Sequence, residues 1–265
     1  MEKLEQKNYI ISEIKKIENH FIGKDFDEVI NRSIKLLKKH PGIVLAYNFL
    51  GSAYRQKNNG ILAEKAFREA LSFDPKNVKI LSSLAALYRL AENYKLSEEF
   101  FQKALKINPN NPTTLCNFGN LLRDINKFDE AINLYLKALT FNRRLPIVLL
   151  NLSATYQVIG KFELSIKYSK ELLNMFPNIT LADKQLSHIL DYTKDDFHQE
   201  SMLKKINNEK IKENEKIPLF FALSKSYEDQ KNYKNAYKFI EKGNKAQKKY
   251  LNYKIDGDIR QFLRI

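Results

Sequence analysis

Arg55, Arg89 and Arg123 stand 34 residues apart, and Gln157 continues the series. A second series at the same interval runs Phe49, Ser83, Asn117 and Asn151, with Asn48, Ser52, Lys79, Ser82 and Asn120 close by in the chain. Guanidinium forks hold carboxylates through parallel hydrogen bonds, and asparagine amides offer a donor and an acceptor to a peptide backbone. The chemistry of this set is recognition of an extended peptide, acidic where it meets the arginines. The same arginines, placed near the ends of helices, would also complement the helix dipole without any ligand. Spacing leaves both readings open.

Groups that make and break bonds are not assembled anywhere in the chain. A phosphate cradle needs closely spaced glycines, whereas the eight here are dispersed. Gly60 and Gly160 fall in turns, and Gly23, Gly42 and Gly257 are isolated. His20, His40, His188 and His198 have no metal-ligand spacing,. Asp191, Asp195, Asp196, His198 and Glu200 read as a solvated loop and helix start, since aspartate favours a first helical turn,. Cys116 has no evident activating base and reads as a small residue lining the groove with Asn117 and Asn120, not as a nucleophile,. The expectation is a chain that is not an enzyme and needs neither cofactor nor metal.

Its 265 residues are 43% hydrophobic and 29% charged, enough for one continuous core under a polar surface,. A single cysteine forbids an internal disulfide and fits a reducing cytoplasm,. Residues after Met1 are a charged helical pattern and not a secretory leader, and the apolar runs LPIVLLNL and IPLFFAL are too short to cross a bilayer,. A cytoplasmic protein without a transmembrane segment is expected. The net charge of +14 raises a polyanion partner,. The excess is mild until residues 217–265, where 11 Lys and Arg face 5 Asp and Glu. Lys238, Lys242, Lys245, Lys248 and Lys249 form a solvated helix face without a recognition motif, so nucleic acid is not favoured,.

The elements that position the recognition residues are paired amphipathic helices. Residues 112–145 show the rule, counting Pro112 as position 1. Leu115, Phe118 and Leu122 at positions 4, 7 and 11, and Tyr135 at 24, recur at helical spacing as apolar filling,. Gly119 at 8 and Ala131 at 20 let the two helices cross closely, and Ala138 at 27 admits the next pair. The pattern repeats in residues 44–77, with Tyr47, Leu50, Gly51, Tyr54, Ala63, Phe67, Ala70 and Pro75. Residues 78–111 follow with Leu81, Leu84, Ala85, Tyr88, Ser97, Phe101, Ala104 and Pro109. Residues 146–179 match less well in their second helix, where Ser169 and Leu172 stand.

A 34-residue period of helix–turn–helix units resembles the tetratricopeptide repeat. That resemblance implies an all-α fold, an α-solenoid in which helix hairpins wind into a right-handed superhelix. Four regular units, 44–77, 78–111, 112–145 and 146–179, follow a degenerate N-terminal capping repeat over 1–43. Residues 180–216 are a half-matched, irregular fifth unit, and 217–265 hold a further hairpin displaced by three residues and a basic C-terminal helix. The resemblance places positions 2, 5, 6, 9, 12 and 13 on the concave face. The expected groove is therefore Asn48, Ser52, Arg55, Lys79, Ser82, Arg89, Asn117, Asn120, Arg123, Asn151 and Gln157. Asn117 and Asn151 form part of an asparagine ladder similar to that of the O-linked N-acetylglucosamine transferase repeats, whereas the carboxylate clamp of chaperone-binding repeats is incomplete.

Residues 180–265 carry a narrower resemblance, to bacterial proteins in which such repeats precede a sulfotransferase domain. Phe221-Ala222-Leu223, Tyr227-Glu228-Asp229, Ala236, Gly243-Asn244 and Tyr253 carry it. The expected function is a non-catalytic scaffold that holds a peptide or partner protein in its groove. The alternative is the substrate-presenting part of a sulfotransferase whose catalytic domain is missing or on another chain. In either case the helix ending in Phe262, Leu263 and Ile265 could pack on a partner chain or that missing domain.

Overall fold

The computed structural model describes residues 2–194 and 197–251, and these are all-α: fourteen helices, one short 3-10 turn and no strand among the described residues. The fold class is an α-solenoid of helix hairpins. Tyr253, Gly257, Phe262, Leu263, Ile265, Asp195 and Asp196, singled out above, lie outside the described residues. Two compact units divide between Arg143 and Arg144.

The first unit holds four hairpins: α1 (Glu2–Ile22) with α2 (Phe26–Lys39), α3 (Val44–Gln56) with α4 (Gly60–Phe73), α5 (Val78–Leu90) with α6 (Tyr94–Ile107), and α7 (Pro112–Asp124) with α8 (Phe128–Phe141). Each second helix packs on the first helix of the next hairpin, and first helices also touch one another in series, α1 on α3, α3 on α5 and α5 on α7. This arrangement puts the first helices side by side as a common wall.

Turn chemistry sets the spacing. Lys24, Asn58, Glu92, Asn126 and Gly160 all adopt positive φ, 34 residues apart, and Lys231 repeats the feature after the three-residue displacement. One left-handed residue between two helices closes the hairpin. Its amide donates to the carbonyl three residues back, which is Arg55, Arg89 or Arg123 in the central hairpins. The last turn that carries each arginine is thereby pinned. Asn59, Asn93, Asn77 and Asn111 then cap the following helices, each side-chain oxygen accepting from an amide three residues on,.

Packing follows the small-residue rule. A Cβ on Gly51 would lie 2.6 Å from the Phe67 ring, and one on Gly119 would lie 2.6 Å from the Tyr135 ring. Where the small residue is serine, its hydroxyl reaches a backbone carbonyl of the facing helix 12 residues away. Ser97 donates to Ala85 O at 2.8 Å, Ser153 to Ser165 O at 3.1 Å and Ser224 to Ala236 O at 2.9 Å. A buried hydroxyl is thus tolerated where the helices cross, because it is satisfied. Leu84, Phe101, Leu115, Leu121 and Tyr135 are fully buried in this unit, each contributing roughly 1.5–3 kcal/mol of burial.

The second unit begins with the hairpin α9 (Pro146–Val158) and α10 (Phe162–Met175) and ends with α13 (Ile217–Asp229) and the long α14 (Tyr233–Leu251). Between them, α11 (Thr180–Ser187) and α12 (Phe197–Ile206) are short, and both pack on α13. Tyr192, Met202, Leu219, Phe220, Leu223 and Phe239 form the core there. Gln199, where a small residue would suit a regular hairpin, is buried with its amide donating to Ser226 Oγ at 3.0 Å and to Gln230 at 3.2 Å.

Candidate functional site

The wall of first helices in the first unit gathers four of the expected groove residues. Arg55 of α3, Lys79 and Ser82 of α5, and Asn117 of α7 line one cleft of about 320 Å³, with Ser83 and Thr113 between them. The lining is polar on three successive helices because the hairpin turns hold those helices in the same phase. Ser82 is buried, and its hydroxyl shares a hydrogen bond with Thr114 Oγ1 at 2.7 Å, while Lys79 is exposed. The cleft offers two cations, the hydroxyls of Ser82, Ser83, Thr113 and Thr114, and the amides of Asn111 and Asn117.

The other expected residues are placed differently. Arg89 donates to Asp124 at 2.5 Å, so its guanidinium is already neutralised by the next hairpin. Asn120 accepts from the buried Tyr135 hydroxyl at 2.7 Å, which ties it to the packing between α7 and α8. Burial first pushes the Tyr135 hydroxyl well above its ordinary value, against the opposing charge of Arg123. Asn48 is buried, and its Oδ1 has no hydrogen-bond partner. Ser52 and Arg123 are half-buried on α3 and α7. Asn151 and Gln157 lie on α9, in the second unit.

A run of charges in the second unit is also placed unexpectedly. His198 is no solvated helix start: its Nε2 lies 3.1 Å from the fully buried Asp183 carboxylate, and its Nδ1 meets the Tyr192 hydroxyl. Lys205 donates to both Asp183 oxygens, at 2.6 and 2.8 Å. Both imidazole nitrogens and the carboxylate are thereby engaged, so the cluster knits α11 to α12 and leaves no free base. The sequence signal was Asp183 itself, a charge at a position where the repeat expects an apolar residue. Asp191 closes a turn: the Thr193 hydroxyl and amide, with Lys194, hold its carboxyl down to about 2. No group of three or more potential ligands occurs among the described residues, and no helix among them is long and apolar enough to cross a membrane.

No curated protein matches this chain. Among solved structures, it is similar to Pseudomonas aeruginosa PilF at 22% identity, covering 82% of this chain and 95% of that one with a TM-score of 0.59. It is also similar to PilW, described as a widely conserved type IV pilus biogenesis factor, at 21% identity, covering 74% and 90% with a TM-score of 0.61. At such identities the likeness is one of fold. Models of the tetratricopeptide repeat match residues 78–144 and residues 44–77 and 217–250. With just over half of its residues inside those matches, the chain belongs to the tetratricopeptide-repeat family.

Proposed function

We propose that this chain is a non-catalytic scaffold whose first unit holds an extended segment of a partner protein, one carrying acidic residues, against the first helices α3, α5 and α7. The reading rests on one observation, the cleft of about 320 Å³ that brings Arg55, Lys79, Ser82 and Asn117 together from three hairpins. An extended backbone crossing three helices meets a donor or acceptor at each, and main-chain hydrogen bonding with a few fixed charges is a recurrent mode of peptide capture. The two cations give the ligand its sign. Specificity and association rate follow from that complementarity more than affinity does.

The test is fluorescence anisotropy with a labelled twelve-residue Asp/Glu-rich peptide and its Asn/Gln counterpart, using the full chain and its Lys79→Glu variant. The acidic peptide is expected to lose at least about tenfold in affinity for the variant, a change of about 1.4 kcal/mol. The melting temperature should move little, because Lys79 is exposed. Equal binding of both peptides by both proteins refutes the reading.

A further inference from the structure

Arg55 and Arg89 occupy equivalent places, yet only one of them is neutralised. Arg89 is paired with Asp124, 35 residues further on. The same offset from Arg55 falls on Leu90, which is 60% exposed. Arg55 and Leu90 together line a second cleft of about 190 Å³, with Leu87 and Ala91 beside them. The half-buried Arg55 side chain makes no ion pair and no hydrogen bond among the described residues. Burial, and then the charge of Arg89, push its pKa below the ordinary guanidinium value. A guanidinium withdrawn from water without a counter-charge is costly, and a planar carboxylate matches its fork.

We propose that Arg55 is an anion subsite that takes a ligand carboxylate where Leu90 stands in place of an aspartate, and that Leu87, Leu90 and Ala91 select a carboxylate flanked by an apolar side chain. The proposal deepens the scaffold reading and rests on it. Of the first two rungs of the arginine ladder, it leaves Arg55 open, while Arg89 is closed by the protein's own Asp124. Arg55 lines both clefts, so a segment that runs along the first helices passes the subsite.

The experiment measures binding of labelled ten-residue Gly/Ser peptides containing Asp-Leu, Asn-Leu or Asp-Ser, each with a free or amidated C-terminus, to the full chain. The Asp-Leu peptide is expected to bind at least about tenfold tighter than the other two. Loss on Asp-to-Asn exchange supports the subsite, whereas loss on amidation alone, with Asn-Leu bound as tightly as Asp-Leu, overturns it. Leu90→Asp, which supplies Arg55 with the partner that Arg89 has, should abolish the Asp-Leu preference and raise the melting temperature by about 2–4 °C. Asp124→Leu, which opens Arg89, should not weaken the Asp-Leu peptide. If Leu90→Asp leaves the Asp-Leu preference intact, the subsite is overturned while the scaffold reading stands. If the unaltered chain binds none of the peptides, both are overturned.

Discussion

The Phe67 ring occupies the space where a Cβ on Gly51 would be, with Cε1, Cδ1 and Cζ all within 2.9 Å of it. Equivalent places in the next hairpin hold Ala85 and Phe101, both fully buried in one cluster. The first hairpin thus holds glycine against its ring where the second holds alanine. Gly51→Ala adds helix propensity worth about 1 kcal/mol but forces the ring to move, and overpacking costs about 1–3 kcal/mol. A net loss of about 1 kcal/mol is expected in urea denaturation. Gly60→Ala, whose new Cβ meets nothing within 4 Å, should instead be neutral or stabilising. If the two substitutions behave alike, close helix crossing is not what selects glycine at position 51.

A polar clamp joins α4 to α5. The Tyr88 hydroxyl donates to Glu64 at 2.7 Å, and Arg68 donates to the Tyr88 oxygen at 2.6 Å and to Glu64 at 2.7 Å. The Tyr88 hydrogen bond, and then Arg68, hold the Glu64 carboxyl below its ordinary value of 4.5. A depressed carboxyl stabilises the folded state fully above that unfolded value, and the benefit is lost as the pH falls through the folded one. Because Glu64 is over a third exposed, the contribution is expected to be under about 1 kcal/mol. Melting temperatures between pH 3 and 6 should fall less steeply for Tyr88→Phe than for the unaltered chain.

The opposite sign holds at Tyr135. Burial keeps its hydroxyl protonated in the folded chain beyond its ordinary value of 10.0. Stability present below that pH is lost as the pH rises past it, because only the unfolded chain releases the proton. Tyr135→Phe should cost about 1 kcal/mol at neutral pH through the lost bond to Asn120. It should also reduce the alkaline decline in the melting temperature. An undiminished decline would falsify the assignment of that loss to Tyr135.

In the second unit, Asp183→Asn leaves Lys205 and His198 without their carboxylate in a buried setting. Removing one partner of a buried pair costs about 3–5 kcal/mol. Hydrogen exchange read by mass spectrometry should show faster exchange in residues 180–206 and no change in 44–77. Uniform protection across both segments would mean that the cluster does not hold α11 to α12.

The sequence makes the buried face easy to read and the polar contacts hard. Gly51, Gly119, Phe67 and Tyr135 announce themselves because helix crossing repeats the same steric demand every 34 residues. Arg55, Arg89 and Arg123 could be placed on one wall for the same reason. Their different fates could not be read, since closure of Arg89 depends on a single residue 35 positions away, Asp124, that has no counterpart at Leu90. Asn120 looked free because its partner, the Tyr135 hydroxyl, belongs to a ring already explained by packing. His198 looked solvated because Asp183 and Tyr192 reach it only after α11 stops short at Ser187 and the chain turns back. Periodic packing is written locally, whereas a unique ion pair exists only once the tertiary register is set.

The left-handed residues at 24, 58, 92, 126 and 160 give the turns a constant step, but the hairpins between them are not interchangeable. Deleting residues 78–111 would keep the step and bring Asp124 to the offset from Arg55 that Leu90 now holds, so a change of length by one unit would also close an arginine.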